Sequence, residues 1–220
     1  MSAFECKLTL RAEHVDKAMA NAVEIRRSLP PRNGTPYREL HSPILYGLLA
    51  HSHSWKGDRS TPVQNTDEAL HRAHQNRVGH PRELLDLVCI ADCATWAVLK
   101  QTYIGPRQVP DWEPLAPRYG PHGSAITAYP AAAMNAPGQV ENFAPIGALV
   151  SLLIGKLAWE ASELRRIAEY FIQTNISGSG GTDCPRLWDA GIYSEEMREK
   201  VVSMRPVNRG RWDEWSLVFF

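Results

Sequence analysis

Glu160 occupies a position where a carboxylate is costly. On a wheel of ~100° per residue, Ile146, Leu149, Val150, Leu153, Leu157, Leu164, Ile167 and Phe171 form one apolar stripe, with Glu160 in its middle. A carboxylate there needs a partner or must lose its hydration, and burial raises its pKa. Such a group is a candidate general acid or base. Asp92 raises the same expectation on a second apolar segment, Pro81–Tyr103. The competing reading is a structural ion pair, or a helix turned near Gly155 so that Glu160 faces outward.

Histidines crowd the first half of the chain. His51, His53, His71 and His74 lie in "HSHSW" and "HRAH", with His80 close behind. Folded together, the first four could hold a metal. Yet His-x-His on a helix sends its rings to different faces, no Glu or Asp completes a familiar motif, and solvated or capping histidines account for the pattern better. Cys6, Cys89, Cys93 and Cys184 form no Cys-x-x-Cys and no zinc spacing. Cys89 and Cys93, four apart, read as two small buried hydrophobes, and a reduced, cytoplasmic protein fits the set.

The stretch "NISGSGGTDCP" carries a different chemistry. It is neither a Walker loop nor a dinucleotide fingerprint, because no Gly-Lys-Ser/Thr follows and no strand precedes it. Its backbone N–H groups and hydroxyls suit an anionic group such as a carboxylate. The order helix, Gly-Ser-Gly-Gly-Thr-Asp, helix resembles the C-terminal part of the indoleamine/tryptophan 2,3-dioxygenase superfamily of all-α haem proteins. "DCATWAVLK" (Asp92–Lys100) is similar to that family's distal helix, and "GSAITAY" (Gly123–Tyr129) to its pocket-lining loop.

That resemblance implies a haem cofactor and an aromatic amino-acid substrate, tryptophan- or tyrosine-like, in oxygenase chemistry of a biosynthetic pathway. It implies that Gly178, Ser179, Gly180, Gly181 and Thr182 hold the substrate's amino-acid end or a haem propionate, and that Ser124 and Ala125 border the reacting face. In the family a histidine on the helix before the loop ligates the iron. Here that helix reads "WEASELRRIAEYFI", and no histidine lies on it. Either a histidine from the first half replaces it, or the pocket works without haem. In the haem-free version Glu160 or Asp92 moves protons, and Arg107 or Arg118 pairs with the substrate carboxylate.

Around these residues the sequence predicts a mainly α, bundle-like single domain over residues 1–220. A segment rich in Pro, Gly and aromatics at 104–145 is expected to wall the site. "FECKLTLR" alternates as a half-buried strand, and "SLVFF" reads as another. The two termini are expected to pair as a small β element. "AEHVDKAMANAVEIRRSL" reads as an amphipathic helix ending before Pro30. "PILYGLLAHSH" reads as a short helix, and Asn65–Arg77 as a surface helix capped by Thr66 or Asp67. Pro81–Tyr103, apolar nearly all round, reads as a buried helix. A long helix is expected from Phe143 to Gln173, and "SEEMREKVVSM" as a short polar one.

Composition bounds the function. Lys+Arg and Asp+Glu balance at 24 each, and no long basic run occurs, which speaks against a protein built to hold nucleic acid. "MSAFECKLTL" lacks the marks of a signal peptide, and no apolar run reaches the ~18 residues of a membrane span. The expected partners are a small-molecule substrate and further copies of the chain, with neither nucleic acid nor membrane. A rival from another class is a non-catalytic helical module that binds a ligand or protein, with the glycine loop acting as a helix C-cap.

Overall fold

The polar/apolar alternation of "FECKLTLR" is realised as the first strand of a mixed sheet. A computed structural model describes residues 1–104, 111–119, 124–133, 144–173, 182–203, 210–216 and 218–219. Its elements are β1 (Ser2–Leu10), α1 (Ala12–Arg27), α2 (Pro36–Leu40), β2 (Leu45–His53), α3 (Pro62–Arg77), β3 (Leu87–Ile90), β4 (Ala94–Ala97), β5 (Leu99–Ile104), α4 (Ala116–Tyr119), β6 (Ser124–Ala133), α5 (Pro145–Glu160), α6 (Arg165–Gln173), β7 (Thr182–Trp188), α7 (Glu195–Ser203) and β8 (Val218–Phe219). Strand order is β1-β2-β3-β4-β6-β5-β8, with β7 also paired to β6.

The fold is therefore α/β, and the expectation of a mainly α bundle is corrected. β1, β2 and β3 run parallel, so each pair needs a crossover, which α1 and α3 supply. The later strand pairs, from β3–β4 onward, are antiparallel. The termini do not pair with each other. β1 ends one side of the strand order and β8 the other.

Two segments read as helices are strands, for one physical reason. "PILYGLLAHSH" contains β2, and Pro81–Tyr103 contains a 3-10 turn at Pro81–Glu83 followed by β3, β4 and β5. Central strands covered on both faces are apolar on both faces, so their alternation vanishes. All residues of β3 and β4 are buried. Asp92 lies in the turn between β3 and β4, not on a helix.

Helices cover both faces. On one, α1 and α3 bury Val15, Met19, Ala22, Leu70 and Ala73 against Leu48, Val88, Ile90 and Trp96. On the other, Leu149 of α5 packs on Leu45, Leu87, Cys89 and Ala97. Thr66 and Asp67, expected as caps, lie within α3 and are buried. Asp67 Oδ1 accepts the Trp96 indole N–H at 2.5 Å. The helix expected from Phe143 to Gln173 breaks at Ala161 into α5, a 3-10 turn and α6.

A buried charge network joins the layers. Arg26 of α1 is 1% exposed and donates to Asp86 and to the Leu84 and Ile44 carbonyls. Asp86 also accepts the Tyr46 N–H at 2.9 Å. One guanidinium thus fixes α1 against the start of β2 and the approach to β3.

Candidate active site on the first strand

β1 alternates, so Glu5, Lys7 and Thr9 share one face and Phe4, Cys6 and Leu8 the other. The Glu5 face is the one that carries α1. Asn21 Nδ2 of α1 donates to Glu5 Oε1 at 2.6 Å, and the Tyr46 hydroxyl of β2 donates to the same oxygen at 2.8 Å. Glu5 Oε2 faces the Lys7 ammonium at 3.4 Å. The Glu5 side chain is 16% exposed and that of Lys7 is 29% exposed. Farther along, Thr9 Oγ1 lies 3.3 Å from Ser52 Oγ.

The electrostatics keep this carboxylate ionised. Burial pushes its pKa up, but the hydrogen bonds from Tyr46, Asn21 and Lys7 outweigh burial and hold it below the usual carboxylate range. Tyr46 moves the other way. Burial, with Glu5 beside it, pushes the phenol up to about 12, so it stays a neutral donor. One oxygen of Glu5 is thereby fixed. Among the described residues the other has only the Lys7 contact, longer than the ~2.7–2.9 Å of a tight charge-assisted bond. A carboxylate oxygen and an ammonium thus stand together on the α1 face of an edge strand. A cation can take the oxygen, and an anion can take the ammonium.

The residues singled out from sequence lie elsewhere. Glu160 ends α5 and is paired with Arg32, whose two nitrogens donate at 2.8 and 3.2 Å. The Tyr37 hydroxyl adds a bond at 3.0 Å. Glu160 is 31% exposed, and Ile146, Val150 and Ile167 of its expected stripe are themselves exposed. The buried side of α5 is instead Ala148, Leu149, Ser151, Ala158 and Trp159. The cleft beside Glu160 is lined by Tyr37, His41, Asp86, Lys156 and Trp159. Asp92 pairs with Lys56 at 3.3 Å, so the two carboxylates have different partners on different elements.

The histidines are similarly dispersed. His51 is exposed on β2, and His53 ends that strand near Trp55. His71 and His74 are on α3, where His74 Nε2 lies 3.2 Å from Thr127 Oγ1. Among the described residues no group of three or more His, Cys, Asp and Glu is arranged to hold a metal ion. Gly178, Ser179, Gly180, Gly181 and Arg107 lie outside the described residues. Thr182 begins β7 opposite Pro130, and Ser124 begins β6. Ala125 is fully buried opposite Trp188. Arg118, on α4, lies over the Tyr119 ring.

No protein-family model matches the chain, and no curated protein matches it. Among solved structures, it is similar to NucC of E. coli MS115-1. The apo form is 23% identical over 44% of this chain and 41% of that one, with a TM-score of 0.30. The form with cAAA bound is 25% identical over 44% and 38%, also at 0.30. NucC of P. aeruginosa ATCC27853 with cAAA bound is 17% identical over 89% and 58%, at 0.34. The chain spans less than two thirds of each of these proteins. Overlap this loose carries no functional argument.

The mixed sheet is incompatible with the all-α haem fold of the tryptophan dioxygenase-like proteins. The resemblance is corrected on that ground, and with it the aromatic amino-acid oxygenase function. The haem cofactor loses its only support. Its distal "helix" Asp92–Lys100 is a turn followed by β4 and the start of β5, and its pocket "loop" runs into strand β6. The helical architecture assumed for the rival binding module is corrected with the fold. No helix among the described residues is long and apolar enough to cross a membrane.

Sequence reasoning passed over Glu5 and Lys7 by treating them as the solvated side of an alternating strand. The available signal was the Glu-x-Lys spacing, which puts opposite charges on one face of any strand.

Proposed function

We propose that this chain is a divalent-metal-dependent hydrolase of phosphodiesters, acting on a nucleic acid backbone. The observation that carries the reading is the shared face of Glu5 and Lys7: an ionised carboxylate with one oxygen fixed and the other paired loosely with a partly exposed ammonium.

The donors fit a hard cation. Magnesium takes one or two carboxylates, keeps several waters and accepts substrate phosphate oxygens, so it needs no all-protein cage. Glu5 Oε2 would hold it, and the bound metal would supply Lewis-acid polarisation and an activated water. Asn21 and Tyr46 fix the carboxylate rotamer. Lys7, a compact point charge, neutralises the phosphate and the negative charge that grows on it. In the reaction a water oxygen bonds to phosphorus, the bond to the leaving oxygen breaks, and the proton ends on that oxygen.

Balanced charge speaks against a protein that coats nucleic acid. An enzyme that engages a single linkage needs no basic surface.

The test is hydrolysis of bis(p-nitrophenyl) phosphate and of labelled DNA and RNA, with magnesium or manganese and with chelator. Metal-dependent cleavage that drops ~100-fold or more in Glu5→Gln and Lys7→Ala supports the reading. Absence of cleavage by the wild-type chain, or full activity of both variants, contradicts it.

A further inference from the structure

β1 is an end strand of the sheet. β2 takes one of its edges, and nothing among the described residues pairs with the other. An open edge of nine residues is long, because natural edges are kept short, bulged, charged or covered. The side facing away from α1 shows a row of Phe4, Cys6 and Leu8. Leu8 is 78% exposed, and Cys6 is a free, exposed cysteine.

We propose that a second copy of this chain covers the edge by antiparallel β1–β1 pairing centred on Cys6. Charge selects the register. Centred on Cys6, Glu5 stands opposite the partner's Lys7, and Lys7 opposite the partner's Glu5. Phe4 then stands opposite the partner's Leu8, which gives the exposed Leu8 an apolar neighbour. Centring on Glu5 or on Lys7 sets like charges directly opposite, which is destabilising. A half-step register sets the apolar row of one copy against the polar row of the other. A strand whose charges complement themselves under two-fold rotation suits an isologous dimer. The inference rests on this edge and not on the hydrolytic reading.

The geometry has a direct chemical readout. Directly opposed residues of an antiparallel pair have Cα atoms ~4.5–5.5 Å apart, within the range a disulfide spans. The experiment uses the full chain carrying Cys93→Ser and Cys184→Ser. Light scattering at micromolar concentration is expected to give twice the 24.6 kDa chain mass. Mild oxidation is expected to give a covalent dimer on a non-reducing gel, lost in Cys6→Ser. Leu8→Lys and Lys7→Glu should each weaken the dimer at least tenfold, and Glu5→Lys with Lys7→Glu should restore it. A monomer, or a dimer whose cross-link does not need Cys6, overturns the proposal. If Leu8→Lys fails to fold, the Cys6 cross-link still decides. Because mass and cross-link are read without substrate, an inactive dimer leaves this inference standing and sinks only the hydrolytic one.

Discussion

Lys7 Nζ lies 3.4 Å from Glu5 Oε2, while Oε1 of the same carboxylate is held by Asn21 and Tyr46. The two oxygens of Glu5 thus have separate partners: one anchors the side chain and the other meets the Lys7 ammonium. Removing the anchor tests this division. Tyr46→Phe deletes one donor to Glu5, so the Glu5 pKa rises and the acid limb of the pH–rate profile moves to higher pH. Metal affinity is expected to fall about 10–100-fold, as for other outer-shell partners. An unshifted profile with unchanged metal affinity contradicts the assignment of Tyr46.

The Arg26–Asp86 pair is buried and joins α1 to the approach to β3. Replacing Arg26 with Met leaves a buried carboxylate without its cation, a loss of about 3–5 kcal/mol. Replacing Asp86 with Leu in the same chain should recover part of that. Denaturant unfolding of the single and double variants measures it, and equal losses in both contradict the pairing.

Acid destabilises this fold through neutral histidines. Burial, with Arg186 nearby, pushes His74 down to about 3. Burial also pushes His80 down to about 4 and His41 well below its ordinary range. The unfolded chain protonates these rings near pH ~6.5 while the native chain does not. Their contribution is complete above that pH and is lost as pH falls, by up to about 1.4 kcal/mol per pH unit for each ring. Glu5 and Glu83, held low in the native state, add their losses only below their ordinary value of 4.5. Tm is expected to fall between about pH 6.5 and 4.5, with a shallower fall in His74→Gln. A flat Tm across that window contradicts the account.

Glu160 separates the present site from the cleft that the sequence favoured. Its pair with Arg32 is partly exposed, and such pairs contribute at most about 1 kcal/mol. Glu160→Gln is expected to lower stability by no more than that and to leave phosphodiester hydrolysis unchanged. Loss of hydrolysis in Glu160→Gln would move the active site to that cleft.

What the sequence revealed followed from how each element is exposed. α1 has one wet face, so its period of 3.6 survives in the residues; the period of two in β1 was legible as well, but with its sides exchanged, because Cys6 and Leu8 are exposed while Glu5, Lys7 and Thr9 are half-buried on the α1 face. β2, β3 and β4 are covered on both faces, and "LYGLLA" and "LVCI" have no period left to read. Their β-branched and aromatic residues, Val88, Ile90, Thr95 and Trp96, were the remaining signal. The stripe on α5 and α6 was projected through Ala161, where the helix breaks, so the wheel placed Glu160 inside when it sits at a helix end. Glu5 and Lys7 were visible as the polar side of β1. Their chemistry appeared only when the fold brought Asn21, from α1, and Tyr46, from β2, onto the same carboxylate.

The central claim is most directly tested by single-turnover cleavage of an end-labelled nucleic acid in magnesium, comparing the wild-type chain with Glu5→Gln. The account predicts cleavage by the wild type that chelator stops, and a rate at least ~100-fold lower in the variant. Cleavage at equal rates by both proteins, or by neither, would contradict it.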